Sequence, residues 1–145
     1  YWKRSIPSPT MTVFDAPFRE TCTIRRPRTN TPLQALALMN DPTFVEAARF
    51  LAQRMLLEGG ATITSKLTLG FRLATARLPR SEELAVLLRA WERAFKDFQS
   101  DAQGSLALLS VGETRSDAAL DRTQLAALTI VASSILNLDE IVTKE

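Results

Sequence analysis

From Thr31 onward the chain repeats one pattern, in which a helix start signal is followed by apolar residues at helical spacing. Residues 31–34 read Thr-Pro-Leu-Gln, a capping box in which Thr31 accepts from the amide of Gln34 and the Gln34 side chain reaches back. The proline between them occupies the first helical position, where its missing N–H costs nothing. This helix is predicted to run to about Asn40, and Asp41 then begins a second one.

Four more apolar stripes recur at three- and four-residue spacing, which is typical of helices that pack on a core. Ser81 is the predicted cap of the fourth helix and Asp121 of the sixth, and a short helix is predicted near 102–110. Gly59-Gly60 and Pro79 are the expected stops. The sequence therefore predicts an all-α fold, a helical bundle of about five to six helices over residues 31–145, with a final turn over 138–142. Its stripes comprise Phe44, Ala48, Leu51 and Met55; Leu67, Phe71, Ala74 and Leu78; Leu84, Leu88, Trp91, Phe95 and Phe98; and Leu125, Leu128, Ala132 and Leu136.

Residues 1–30 show neither helical nor strand periodicity, and they contain four of the seven prolines. Each proline removes a backbone donor and favours extended geometry in the residue before it. We expect an irregular docking arm with a short extended piece at residues 11–14. Its apolar side chains Trp2, Ile6, Val13 and Phe14 are expected to pin the arm to the bundle, so that arm and bundle form one domain cut from a longer protein.

The chain has no histidine and a single cysteine, Cys22. This composition excludes, within these residues, a Ser-His-Asp or Cys-His catalytic arrangement, a His-ligated zinc or haem, and an internal disulfide. A metal site would need oxygen ligands alone, and no Asp-x-Asp-x-Asp-Gly loop is present. No catalytic and no metal-binding residue is therefore predicted, and Cys22 is interpreted as a small buried thiol.

The charges are unevenly distributed along the chain. Residues 1–30 contain six basic and two acidic side chains, whereas residues 101–145 contain three basic and seven acidic ones. A basic head and an acidic tail can meet in the fold, or each can face a different neighbour.

Arg25, Arg26 and Arg28 form the strongest candidate binding surface, because planar guanidinium groups suit carboxylate, sulfate or phosphate partners. The alternative is that these arginines hold the arm in place through acidic side chains of this chain. Asn30 and Thr31 stand beside a helix N-terminus, where they can help to bind an anion or simply cap the helix. Nucleic acid is not favoured as a partner, because the cluster is short and lacks interleaved aromatic residues.

Three segments carry a family resemblance: FDAPFRETCTIRRPRTNTPLQALALMND at 14–41, FRLATARLPRSEELAVL at 71–87 and ASSILNLDEIVTKE at 132–145. Together they resemble a C-terminal domain of unknown function found in large planctomycete-type surface proteins, which often carry a cytochrome-c-type haem segment upstream. The resemblance implies an exported, multidomain parent, periplasmic or at the cell surface. It implies no catalytic residue, and it places any haem in an upstream domain rather than in this chain.

These observations favour a non-catalytic helical module that docks against upstream domains of its own polypeptide and completes their structure. The arm 1–30 is the expected docking element, and Arg25, Arg26 and Arg28 are expected to form ion pairs with those domains. A second hypothesis is that the arginine cluster binds acidic or sulfated polysaccharide. A third is that carboxylates such as Asp15, Glu20 and Asp41 complete a catalytic or oxygen-liganded site shared with an upstream domain. No membrane span is predicted, since charged residues or glycine interrupt every apolar run.

Overall fold

The computed structural model describes residues 8–17, 20, 22–25 and 27–143, and within these residues all regular structure is helical. The all-α fold class is therefore confirmed. The helices are α1 Pro9–Val13, α2 Pro32–Asn40, α3 Pro42–Glu58, α4 Ile63–Thr75, α5 Ser81–Ser100, α6 Ala102–Leu109, α7 Arg122–Leu136 and α8 Asp139–Val142.

The predicted helix starts of α2, α3 and α7 form through local side-chain caps. The Gln34 amide donates to Thr31 Oγ1 at 3.3 Å, and the Thr31 amide donates to Gln34 Oε1 at 2.9 Å, which completes the capping box. Asp41 accepts from the amide of Thr43 at 2.9 Å, and Asp121 caps α7 in the same way. These bonds satisfy amides that have no partner inside a helix.

Helix α7 forms the centre of the bundle, and its most extensive contacts are with α3 and α5. Alanines on both partners, such as Ala48 and Ala52 of α3 and Ala132 of α7, allow the helix axes to approach closely, and all three are fully buried. Because α7 is enclosed by its neighbours, its sequence is apolar on nearly every side. Its buried residues are Leu125, Ala126, Ala127, Leu128, Thr129, Val131, Ala132 and Ile135.

Three predictions about helix boundaries and orientation were wrong. Residues 9–13 form the short helix α1 where an extended piece was expected, because Pro9 at its start is preorganised for a helix. Ser81 is the first residue of α5 rather than its cap, which is Arg80. Helix α4 ends at Thr75, followed by Ala76 at a left-handed φ of 61°, and this reversal leaves Leu78 64% exposed instead of inward.

The arm is held to the bundle partly by aromatic packing. The rings of Phe14 and Phe44 meet edge to face with their centroids 5.6 Å apart, so the expected anchoring by Phe14 is confirmed. The predictions for Trp2 and Ile6 fall outside the described residues. Cys22 is exposed, and the prediction of a buried thiol was wrong, because its segment of the arm runs over the surface.

Within the described part of the chain, no helix combines the length and the apolar character that crossing a membrane requires.

Candidate functional site

The candidate site is the junction of the arm with α2 and α8. At this junction the backbone of Asp15 determines the direction of the arm. Asp15 has a φ of 57°, a left-handed conformation that aspartate tolerates better than most residues. Its Oδ2 accepts from the Thr29 amide at 3.1 Å and from the Thr29 hydroxyl at 2.6 Å. The two ends of the segment 15–29 are thereby closed into a loop.

Gln34 is the centre of this junction and is only 1% exposed. In addition to its role in the capping box, its Nε2 donates to the Val13 carbonyl at 2.9 Å and to the Thr29 hydroxyl at 3.0 Å. A longer bond of 3.4 Å reaches Asp15 Oδ2. One amide side chain therefore joins α1, the loop of the arm and α2.

Asn30 connects the same junction to the acidic C-terminal segment. Its Nδ2 donates to Asp139 Oδ1 at 2.6 Å, across 109 positions of sequence. Asn30 and Thr31, both predicted as candidate binding residues, thus act within the chain, where Asn30 binds α8 and Thr31 caps α2.

The arginines of the cluster are placed differently from these two residues. Arg25 and Arg28 are exposed, and no ion pair to either one occurs within the described residues. The alternative hypothesis was that the arginines hold the arm in place through acidic side chains of this chain. The described residues show no such ion pair for Arg25 or Arg28. Arg28 lines a surface pocket of about 290 Å³ together with Phe14, Thr29 and Val142. Arg26 lies outside the described residues.

The outer face of α2 was missed by sequence reasoning. Leu33, Leu36 and Met39 are 57%, 59% and 51% exposed, and Gln34 is the only residue of the helix that is buried. A helix that is apolar all round normally lies inside a protein. The signal was present in the sequence PLQALALMN, which has no charged residue on any side.

The carboxylates considered for a shared catalytic or metal site lie in separate places. Asp15 accepts hydrogen bonds within the arm, Asp41 caps α3, and Glu20 is exposed. Among the described residues, no three Cys, Asp or Glu side chains gather closely enough to hold a metal ion.

Arg77 organises a second polar cluster, which joins the α4–α5 connection to α8. Its guanidinium donates to both oxygens of Glu83 at 2.8 and 2.7 Å and to both oxygens of Glu140 at 3.0 and 2.8 Å. The hydrogen bonds from Arg77, followed by one from the Arg80 amide, lower the pKa of Glu83 to about 2. The hydrogen bonds of Arg77 to Glu83 and then to Glu140 raise the pKa of Arg77. The cluster fixes α8, the helix that Asn30 contacts.

A third cluster holds the loop after α6 against α3. Glu46 accepts from the amides of Thr114 at 2.8 Å and Glu113 at 3.1 Å, and these bonds lower its pKa. Arg49 is 1% exposed, and its Nη2 donates to Glu46 at 3.1 Å and to the Thr114 carbonyl at 2.5 Å. The loop turns at Gly112, whose φ of 101° and close approach to the Glu46 side chain leave no room for a Cβ.

Residues 1–91 match the family described as PSD1, protein of unknown function (DUF1553). The chain belongs to this family. The family match includes the arm, the Gln34 junction and the exposed face of α2, whereas α6, α7 and α8 lie beyond it. Comparisons with curated proteins and with solved structures gave no match.

Proposed function

We propose that this chain is a non-catalytic interaction module that docks against upstream domains of its own polypeptide and completes their structure. The proposal includes an exported parent protein, periplasmic or at the cell surface, in which an upstream domain holds any haem. The exposed apolar face of α2 is the observation that carries the docking proposal.

This face is held rigidly before any partner arrives. The capping box fixes the start of α2, and the bonds of Gln34 to Val13 and Thr29 fix the arm beside it. A preorganised surface loses little conformational entropy when it is covered. Leucine and methionine side chains that stay half exposed on a fixed helix are typical of an interface.

The size of the face favours docking within one polypeptide. Fully burying one such side chain contributes roughly 1.5–3 kcal/mol, so covering three half-exposed ones contributes roughly 3 kcal/mol. Separate molecules would associate only at about millimolar concentration with this free energy. A covalent connection supplies an effective concentration of that order, and docking then becomes favourable.

Hydrogen exchange in the complete natural polypeptide and in this chain alone tests the proposal. We expect the amides of residues 33–40 to exchange more slowly in the complete polypeptide because a neighbouring domain covers α2. Leu36→Asp should remove this extra protection. The matched control is Leu57→Asp, which changes a leucine that is 66% exposed on α3, about 22 Å along that helix from its start. Equal exchange in the two wild-type proteins would refute docking through α2.

The exposure of Arg25 and Arg28 favours a second candidate function, binding of acidic or sulfated polysaccharide. Both guanidinium groups are accessible, and Arg28 lines the pocket beside Thr29. Calorimetric titration of the chain with dextran sulfate should release heat that Arg25→Ala/Arg28→Ala abolishes. Negligible and equal heats for wild type and variant would exclude this function.

A further inference from the structure

A pocket of about 570 Å³ is formed by the end of α6, the loop that follows it and the start of α7. This volume is in the range of sites that bind small molecules. Leucines form its apolar floor, because Leu109 and Leu125 line it and are 5% and 1% exposed, while Leu106 remains 44% exposed. The residues that line the pocket include none from the arm or from α2. A ligand of this pocket is therefore separate from docking through α2.

The loop that forms one wall of the pocket is held in place by a buried ion pair on α3. Residues 112–118 line the pocket. The amides of Glu113 and Thr114 donate to Glu46, and Arg49, which is 1% exposed, donates to the Thr114 carbonyl. These bonds give the loop one conformation before any ligand binds. A pocket that is already formed loses little conformational entropy on binding.

Two arginines line the pocket, and neither has an acidic partner among the residues that the structure describes. Arg115 lies in the loop and Arg122 is the first residue of α7, and both are exposed. Glu113 and Asp117 line the same pocket but form no ion pair with either arginine. The Asp117 carboxylate instead accepts from the Ala119 amide at 2.9 Å, within its own turn. Two guanidinium groups are thus left to contact a carboxylate, sulfate or phosphate, the anions that their planar donors fit best.

We propose that this pocket binds a small amphiphile with an anionic head group and an apolar body. The head group, a carboxylate, sulfate or phosphate, lies between Arg115 and Arg122, and the apolar body covers the leucines. An inorganic anion would leave Leu106 exposed to water. A neutral apolar molecule would leave both guanidinium groups without a partner. The two parts of the lining therefore select the two parts of the ligand.

Calorimetric titration with three amphiphiles that share an octyl chain tests the head group. The probes are octyl sulfate, octyl glucoside and octyltrimethylammonium, each below the concentration at which it forms micelles, and inorganic sulfate tests the head group alone. We expect octyl sulfate to bind at least about tenfold more tightly than each of the others, because one hydrogen bond between charged groups contributes enough for such a change. Equal affinity for octyl glucoside or octyltrimethylammonium would overturn the anionic head group, and equal affinity for inorganic sulfate would overturn the apolar body.

Variants of the lining test the position of the site. Arg115→Gln/Arg122→Gln should weaken binding of octyl sulfate at least about tenfold. The matched control Arg89→Gln/Arg93→Gln changes two exposed arginines on α5 and should alter the affinity less than about twofold. Ala118→Trp places a large side chain in the pocket without a change of charge and should also weaken binding at least about tenfold.

Leu36→Asp distinguishes the pocket from the apolar face of α2, and it should leave the affinity for octyl sulfate unchanged. If Leu36→Asp abolishes binding and Arg115→Gln/Arg122→Gln does not, the amphiphile binds α2 and the inference is overturned. It is also overturned if the Arg115→Gln/Arg122→Gln variant binds as tightly as wild type, or if wild type releases no heat with octyl sulfate. None of these results changes the outcome of the hydrogen-exchange test of α2, so that failure of this inference and failure of docking are distinguishable.

Discussion

Replacing Gln34 by glutamate exchanges the amide NH2 group at the centre of the arm junction for a carboxylate oxygen. A group that donates hydrogen bonds thereby becomes one that only accepts them. The carboxylate can still accept from the Thr31 amide, and glutamate at this third helical position normally favours a helix. It cannot donate as Nε2 does to the Val13 carbonyl and the Thr29 hydroxyl. We therefore expect α2 to persist and the arm to detach from it.

The magnitude follows from the bonds that are lost. Two bonds of 2.9 and 3.0 Å disappear, each with a net value of about 1 kcal/mol, and the partly buried Val13 carbonyl loses a donor. The introduced charge also lies near Asp15 Oδ2, which Gln34 approaches to 3.4 Å. Against this, a carboxylate in the first turn gains about 0.3–1 kcal/mol from the helix dipole. The expected net loss is about 2–3 kcal/mol for docking of the arm.

Urea unfolding and limited trypsin digestion measure this loss. The unfolding midpoint should fall by about 1 M or more if m is near 2 kcal/mol/M, and cleavage after the exposed Arg28 should accelerate. Lowering the pH should reduce the deficit relative to wild type, because a protonated carboxyl regains a donor. Gln124→Glu, at the same third position of α7, is the control and should shift stability by less than about 0.5 kcal/mol. A Gln34→Glu protein as stable and as resistant to trypsin as this control would refute the assigned role of Gln34.

Three further predictions concern the bundle. The pKa of Glu83 is lowered from 4.5 to about 2 in the folded state, so ionised Glu83 stabilises the fold fully above pH 4.5, and this stabilisation is lost as the pH falls from 4.5 to about 2. Glu83→Gln should therefore flatten the pH–stability profile between these two pH values in urea unfolding. Gly59→Ala should lower the free energy of unfolding by about 1–3 kcal/mol, measured by thermal or urea unfolding, because the added Cβ would lie 2.6 Å from the Lys66 Cα. A variant as stable as wild type would show that α3 and α4 can move apart at this point. Glu46→Ala should destabilise the chain more than the double change Glu46→Ala/Arg49→Met does, because the single change leaves a buried guanidinium without its carboxylate. If urea unfolding shows that the double variant is the less stable of the two, the assigned ion pair is contradicted.

The helix starts could be read from the sequence because their causes are local. The capping box of Thr31 and Gln34 and the caps at Asp41 and Asp121 involve residues two or three positions apart, and the structure contains all of them. Boundaries failed where a local signal had competitors. Ser81 was a plausible cap, but the Glu83 carboxylate accepts from the Arg80 amide and starts α5 one residue earlier.

The candidate site could be predicted only in part. Arg25, Arg28, Asn30 and Thr31 were identified as a group, yet the structure divides them, with the arginines facing outward and the other two binding within the chain. Sequence cannot make this division, because it depends on which distant residue lies opposite. Gln34 shows the same limit, since its role in the cap was predictable and its bond to Val13, 21 positions away, was not.

The sequence by itself determined the all-α class, the order of the main helices and most of their starts, because backbone amides are satisfied by neighbours within one turn. Only the tertiary structure decided that α7 is enclosed on nearly all sides, that Cys22 is exposed and that one apolar face of α2 stays open. These properties depend on contacts between segments tens of residues apart, such as the bond from Asn30 to Asp139. Helical periodicity shows that a face is apolar, whereas packing against the rest of the chain determines whether that face is covered.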